Sequence, residues 1–151
     1  MSLRSALRSI IVAGSLGVYM AVPAYAAEYV SVNKDNVNVR TGPSTKNPVY
    51  MELFAGYPLK VTQRSGEWAK ISDFEGDSGW IHNSLIGKND TVIINAKESV
   101  NMRSGPSTTS PVVADVERGV IMKKIGEKGK WLQVRHSGGT VGWIYKPLLW
   151  P

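Results

Sequence analysis

The sequence predicts an all-β protein made of two small domains that share one fold. Nearly the same eight residues occur twice, NVRTGPST from Asn38 and NMRSGPST from Asn101. Apolar and polar residues alternate in short runs, as expected for strands with one buried face. Glycine and proline separate these runs, and no stretch keeps apolar residues at helical spacing beyond one turn.

The first 26 residues have the layout of a cleavable secretory signal peptide. Arg4 and Arg8 form a basic start, residues 10–22 form an apolar run, and Ala24 and Ala26 fit a cleavage site. The run is shorter than the ~20 residues that span a bilayer. We expect cleavage after Ala26, export to the periplasm or, as a second choice, the extracellular space, and no membrane span in the mature chain. An uncleaved membrane anchor is the alternative.

The mature chain combines a lack of cysteine with an uneven charge. Without cysteine, no disulfide can supplement a thin core. Residues 27–89 hold seven basic and seven acidic side chains, whereas residues 90–151 hold nine and five. On an exported protein, such a basic half favours acidic envelope polymers or lipid headgroups over nucleic acid. A contribution to solubility alone is the alternative.

The repeat extends far beyond its opening motif. Residues 28–88 and 91–151 share 19 identities over 61 positions without a gap. We therefore predict one domain at residues 27–87 and a second at residues 91–151, after a signal peptide at residues 1–26. Because only Gly87–Asp90 joins the two units, we expect the domains to touch.

One strand differs between the units in its apolar pattern. The first unit has apolar residues at Leu59 and Val61. The second has Val120, Ile121 and Met122, followed by Lys123, Lys124 and then Ile125. This shift by one residue predicts a β-bulge in the second unit.

Taken together, these residues resemble the pattern of bacterial SH3 domains. Both units carry the Asn-x-Arg-x-Gly-Pro-Ser-Thr motif, a later Gly-x-Trp and a closing Gly-Trp-Ile, and the resemblance covers residues 28–149. It implies two small, partly open SH3-like β-barrels in tandem. Such domains often hold an enzyme on peptidoglycan or another wall polymer. Because no enzyme accompanies the units here, we expect binding itself, or an adaptor role, to be the function.

Two tryptophans are the first candidates for ligand contact. Trp68 alternates with Ala69 and Ile71, and Trp131 alternates with Leu132 and Val134. If the aliphatic residues face the core, both indoles lie on the less buried face, where they can stack on a sugar ring or a peptide. The alternative is that a neighbouring loop covers each indole. Trp80 and Trp143 are expected to pack within the fold.

Two arginines precede the Gly-Pro-Ser-Thr loops. Arg40 and Arg103 occupy matching positions, so we expect each guanidinium to clamp carbonyl groups of the loop that follows. The functional alternative is a clamp for a carboxylate of a wall peptide.

A cluster of basic residues sets the second unit apart from the first. Its candidate ligand-binding members are Lys123, Lys124, Lys128, Lys130 and Arg135. Binding of an acidic partner is one interpretation, and an ordinary solvated hairpin is the other.

The sequence gives little support for catalysis, and we predict neither a metal site nor a cofactor. There is no cysteine, and His82 and His136 occupy non-matching positions in the repeat. The acids of Asp73–Asp77 resemble a calcium loop, but Ser84 stands where the twelfth-position glutamate belongs. A hairpin tip is the expected role of this segment.

The leading hypothesis is a non-catalytic exported protein that binds peptidoglycan or another cell-envelope polymer. The alternative is an envelope adaptor that recognises an extended peptide or a partner protein. Neither hypothesis involves nucleic acid, and neither sets an oligomeric state.

Overall fold

The computed structural model describes residues 26–151 and shows two all-β domains. Apart from Ala26, the predicted signal peptide lies outside the described residues. The first domain has seven strands and one short 3-10 helix: β1 (Glu28–Val32), β2 (Val37–Arg40), β3 (Val49–Leu53), β4 (Pro58–Ser65), β5 (Trp68–Ser72), β6 (Ser78–His82), η1 (Asn83–Leu85) and β7 (Ile86–Lys88).

The second domain repeats this series of elements. They are β8 (Thr91–Ile94), β9 (Val100–Arg103), β10 (Val112–Val116), β11 (Ile121–Lys128), β12 (Trp131–Arg135), β13 (Val141–Tyr145), η2 (Lys146–Leu148) and β14 (Leu149–Trp150). Within residues 26–151, no helix is both long and apolar enough to cross a membrane.

Each domain forms one antiparallel sheet, and the two sheets have the same strand order. The orders are β3-β2-β6-β5-β4-β1-β7 and β10-β9-β13-β12-β11-β8-β14. The all-β prediction and the tandem duplication are therefore confirmed. The sequence pattern indicated about five strands in each unit. It missed the closing strands β7 and β14, which have three and two residues and are too short to show an alternation.

The Gly-Trp-Ile motif allows two strands to come close together in each domain. A Cβ atom on Gly79 would lie 2.5 Å from Val39 Cγ1 and 3.0 Å from the carbonyl oxygen of Arg40. A Cβ atom on Gly142 would lie 2.5 Å from Met102 Cγ. Glycine at this position therefore lets β6 and β13 lie directly over the core residues of β2 and β9.

The predicted β-bulge is present in the second domain, but it is not confined to that domain. The register of β11 against β12 shifts between Lys124 and Gly126, and that of β4 against β5 shifts between Val61 and Gln63. The bulge belongs to the shared fold, so it does not explain the different apolar patterns of the two units. Lys124 is half-buried at the position that Val61 fills in the first domain.

The two domains are in contact, as their short connection predicted. The Thr91 hydroxyl, at the start of β8, donates a hydrogen bond to the carbonyl oxygen of Gly56 at 2.6 Å. Its oxygen lies 2.7 Å from Ser31 Oγ on β1, and both hydroxyl groups are buried. A polar contact that is shielded from water therefore links the first strands of the two domains.

Apolar residues complete this contact. All four residues of β8 are buried. Val92 and Ile94 belong to the core of the second domain, whereas Ile93, only 1% exposed, lies on the opposite face of the strand. Trp150, which pairs with Ile93, meets Tyr29 of the first domain edge to face, with 5.6 Å between ring centroids. β8 thus contributes one face to its own core and the other to the domain interface.

Candidate ligand-binding grooves

Trp68 and Trp131 lie on the less buried face of their sheets, as the alternation predicted. Both indoles are half-buried, while Leu132 and Val134 on the same strand as Trp131 are buried. Trp131 is directly opposite Tyr145 on β13, and Trp68 is directly opposite His82 on β6. The ring centroids are 5.7 Å apart in the first pair and 5.3 Å apart in the second. Each domain therefore presents a pair of neighbouring rings at the same place.

In the second domain, this ring pair lines an open groove of about 840 Å³. The loop between β8 and β9 forms one wall, and the Gly-Pro-Ser-Thr loop forms another. Lys97, Glu98 and Arg103 supply charged groups, and serine, threonine and asparagine side chains supply neutral polar groups. The groove thus offers rings for stacking beside hydrogen-bonding groups, the combination that binds amphipathic ligands.

The matching groove of the first domain is much smaller, about 200 Å³. Its lining includes Trp68, His82, Arg40 and Leu85, the counterparts of residues around the larger groove. The His82 ring accepts a hydrogen bond on Nδ1 from the Ser84 backbone amide at 3.3 Å, so the neutral ring carries its proton on Nε2. The two grooves therefore share a position in the fold but differ in size.

The two arginines hold the loops that follow them. Arg40 Nη1 donates to the carbonyl oxygen of Asn47 at 2.8 Å, and Arg103 Nη1 donates to that of Ser110 at 2.9 Å. The prediction of a carbonyl clamp is confirmed in both units. Both arginines also line their grooves.

The basic cluster of the second domain is separate from the groove. Lys123 and Arg135 are paired across β11 and β12, and Arg135 is four residues from Trp131 along β12, ~13 Å at the rise of a strand. Lys123 also lies 3.6 Å from Asp90. Burial lowers the pKa of Lys124.

Two further candidates lie closer to the indole. Lys128 is directly opposite Trp131, and Lys130 precedes it, with both lysines exposed at the hairpin end. None of the five basic candidates lines the groove. The structure therefore brings Trp131 together with Arg103, but it leaves Lys123 and Arg135 on another part of the sheet.

Trp80 and Trp143 occupy the same outer face as Trp68 and Trp131. Trp80 is opposite Arg40 and Lys70, and Trp143 is opposite Arg103 and Gln133. Both are half-buried, and neither lines a groove. Neither side chain belongs to the apolar core of its domain, so their predicted packing role stays a prediction.

The acidic segment after β5 is a hairpin tip, as expected. Asp73 is buried, and its Oδ1 accepts hydrogen bonds from the backbone amides of Glu75 and Asp77 at 3.0 and 2.9 Å. In the second domain, the His136 ring takes this place and accepts from the Gly138 amide at 3.1 Å. Among residues 26–151, no group of three or more histidine or acidic side chains is arranged to hold a metal ion.

Comparison with known families agrees with this geometry. The model of the bacterial SH3 domain family matches residues 33–88 and, separately, residues 96–151. The chain belongs to this family.

Two curated relatives are much longer than this chain. The chain is 26% identical, over 83% of its length, to YrvJ of Bacillus subtilis, which is named as an N-acetylmuramoyl-L-alanine amidase. It is 38% identical, over 39% of its length, to LytH of Staphylococcus epidermidis, which is named as a cell wall amidase. The chain spans only 26% and 21% of these curated relatives. A Bacillus cereus NlpC/P60 family structure aligns with 82% of the chain and 56% of its own, at 13% identity and a TM-score of 0.39.

Two features of these SH3 domains were not found by sequence reasoning. The partner ring of each tryptophan differs between the units, His82 in one and Tyr145 in the other, so the repeat did not mark that position. The loop between β8 and β9 carries no motif, yet it forms a wall of the larger groove. The ring opposite each tryptophan is identified only by the cross-strand register. The role of the loop is identified only by its position in three dimensions.

Proposed function

We propose that this protein is an exported, non-catalytic binder of peptidoglycan. The observation that carries this proposal is the groove of the second domain, about 840 Å³ in volume and lined by Trp131, Tyr145 and charged side chains of both signs. A sugar ring stacks on aromatic faces, and a peptide stem offers carboxylate and amide groups to Arg103 and Lys97. Peptidoglycan carries both types of group in one polymer.

The named relatives support the same ligand class. Both are named as amidases, one of the cell wall and one acting on N-acetylmuramoyl-L-alanine. The chain corresponds to about a quarter of each or less. We infer that the shared part supplies attachment to the wall, which is the role that we propose for this chain. Its periplasmic or extracellular location follows from this role and from the predicted signal peptide.

The first test is co-sedimentation of residues 27–151 with purified, insoluble peptidoglycan at low and high salt. Binding that survives high salt supports stacking in the groove as the main contact, because ionic contacts weaken as the Debye length shrinks. Binding that is lost at high salt would show that ionic contacts dominate, either at Lys97 and Arg103 in the groove or at the exposed basic cluster of Lys123, Lys128, Lys130 and Arg135. Absence of binding at both salt concentrations would overturn the proposal and favour a protein-recognising adaptor.

A pair of tryptophan variants locates the site. Trp131→Ala should weaken binding by about tenfold or more, since truncating a central aromatic hot spot costs about 2 kcal/mol or more. Trp143→Ala is the control, because Trp143 is equally half-buried on the same face but does not line the groove. Equal loss of binding in both variants would indicate damage to the fold. A thermal melt of each variant measures that damage directly.

A further inference from the structure

The loops that line the two grooves differ in length. The Asn33 amide donates to the carbonyl oxygen of Leu85, and the Asn95 amide donates to that of Leu148, both at 2.9 Å. Asn33 and Asn95 are therefore equivalent, although they are 62 positions apart, whereas Leu85 and Leu148 are 63 apart. The second domain thus has one extra residue between its first two strands. Residues 33–36 form the connection in the first domain, and residues 95–99 form it in the second.

The shorter loop is tight and fixed to the domain. Asn36 adopts a left-handed backbone conformation, with φ of 56°, which reverses the chain within few residues. The carboxylate of Asp35 accepts a hydrogen bond from the Ala55 amide at 2.9 Å, and Asn33 Nδ2 donates to the Ser84 carbonyl oxygen at 3.4 Å. These bonds draw the loop against the body of the first domain.

The longer loop is fixed near its base, where Ala96 packs against the core of the second domain. Arg118 Nη1 donates to the backbone oxygen of Asn95 at 3.0 Å and to its side-chain oxygen at 2.8 Å. In the part of the chain that the structure describes, no side-chain hydrogen bond joins Lys97, Glu98 or Ser99 to another residue, and all three are exposed. Each of these three residues lines the groove. The extra residue therefore belongs to a loop whose exposed side chains line the groove.

The two grooves differ in the length of the lining loop and in the ring opposite the tryptophan, which is His82 in the first domain and Tyr145 in the second, but their other central residues match. Trp68, Arg40 and Leu85 have direct counterparts at Trp131, Arg103 and Leu148, and all six line their grooves. The volumes are nevertheless about 200 and 840 Å³. Ligand sites in proteins typically enclose about 300–1,000 Å³, so only the second groove has the size of a binding site.

We propose that the ligand-binding site lies in the second domain alone, and that the five-residue loop at residues 95–99 is its specificity-determining element. This inference rests on the proposed function, because peptidoglycan is the ligand that it assigns to the groove. The first domain then serves as a scaffold that supports the second through the buried contact at Thr91.

A matched pair of variants tests whether the second domain alone binds the ligand. Thr45 and Thr108 occupy the same motif position, both are exposed, and each lines the groove of its own domain. Thr108→Trp fills the large groove, and Thr45→Trp places the same bulk in the small one. In co-sedimentation of residues 27–151 with peptidoglycan, we expect Thr108→Trp to lower affinity by about tenfold or more. We expect Thr45→Trp to remain within about twofold of the unaltered chain.

A loop exchange tests the element itself. Replacing residues 95–99 with the four residues Asn33–Asn36 should reduce binding as strongly as Thr108→Trp does. A thermal melt shows whether this variant folds. If it does not fold, the comparison of Thr45→Trp with Thr108→Trp tests the inference. Equal affinity losses from Thr45→Trp and Thr108→Trp, or full affinity with the shortened loop, would overturn the inference while leaving the proposed function intact. Failure of the unaltered chain to sediment would overturn both.

Discussion

The guanidinium of Arg118 in the second domain lies 5.0 Å from the centroid of the Phe74 ring in the first. Its Nη2 also lies 3.7 Å from the carboxylate of Glu75, on the same hairpin tip. The other terminal nitrogen, Nη1, holds Asn95 at the base of the groove loop. One side chain therefore connects the hairpin of the first domain with the loop that lines the groove of the second.

This connection predicts that a change in the first domain alters binding in the second. Phe74→Leu removes the ring under Arg118 without touching the groove. It should weaken peptidoglycan binding by about two- to thirtyfold, because substitutions between coupled sites shift their coupling by about 0.5–2 kcal/mol. The measurement is the affinity in co-sedimentation at fixed salt.

Phe54→Leu provides the control for Phe74→Leu. Phe54 is another aromatic residue of the first domain, 50% exposed, and it meets Tyr57 edge to face at 5.5 Å. Affinity should be unchanged in this variant. If Phe74→Leu and Phe54→Leu bind equally well, Arg118 does not transmit support from the first domain to the groove.

Much of the fold was predictable because its strongest signals are local. The Gly-Trp-Ile motif recurs where a strand must approach a neighbour too closely for any Cβ atom, as at Gly79 and Gly142. The arginine clamp was predictable for the same reason, since Arg40 and the oxygen it binds on Asn47 are only seven residues apart.

The extra loop residue was concealed by the burial of β8. The gapless alignment pairs Val30 with Ile93, and both residues are apolar. The register places Val30 opposite Leu59 and Val92 opposite Met122, so Val30 corresponds to Val92. Because β8 is buried by its core on one face and by the first domain on the other, it is apolar at successive positions and gives no alternation. A one-residue shift therefore leaves no trace in the pattern.

The groove was only partly predictable. Trp131 and Arg103 were candidates because they repeat, but Tyr145 and Lys97 were not, since their positions depend on contacts between distant strands. The basic residues near the hairpin were selected by density along the chain, and the sheet places Lys123 and Arg135 away from the groove. Charge density in sequence therefore did not locate the site.

The buried hydroxyl pair between the domains gives a prediction about stability. Thr91→Val keeps the shape of the side chain but removes its hydrogen bonds with Gly56 and Ser31. The buried Ser31 hydroxyl is then left with Asn89 Oδ1 at 3.5 Å. Leaving buried polar groups unpaired costs about 1–3 kcal/mol of unfolding free energy. In urea denaturation, the midpoint of Thr91→Val should be lower than that of the unaltered chain.

Thr62→Val is the matched control for this substitution. Thr62 is exposed, and its hydroxyl donates to the Lys70 carbonyl oxygen at 3.2 Å, where water can replace the lost bond. Its unfolding free energy should change by less than about 0.5 kcal/mol. Similar destabilisation in both variants would show that the domain contact adds no stability through these hydroxyls.

Tyr57 gives a prediction for alkaline pH. Its hydroxyl donates to Asp73 Oδ2 at 3.3 Å, and burial, followed by the nearby Asp73 carboxylate, raises the pKa of Tyr57 above that of an ordinary tyrosine. The unfolded chain releases this proton near pH 10, whereas the folded chain retains it to higher pH. The stabilisation is therefore fully present below about pH 10 and is lost as pH rises through the folded pKa.

Tyr57→Phe should accordingly flatten the decline of unfolding free energy above about pH 10, because the phenyl ring has no proton to release. Urea denaturation at about pH 7, 10 and 11 measures the slope. Tyr50→Phe is the comparison: the pKa of Tyr50 is also raised, first by its hydrogen bond to Asp77, but the ring is exposed and solvent screens the interaction. We expect a clearly smaller change of slope in Tyr50→Phe. An unchanged slope in Tyr57→Phe would mean that the folded chain ionises at this tyrosine as readily as the unfolded chain.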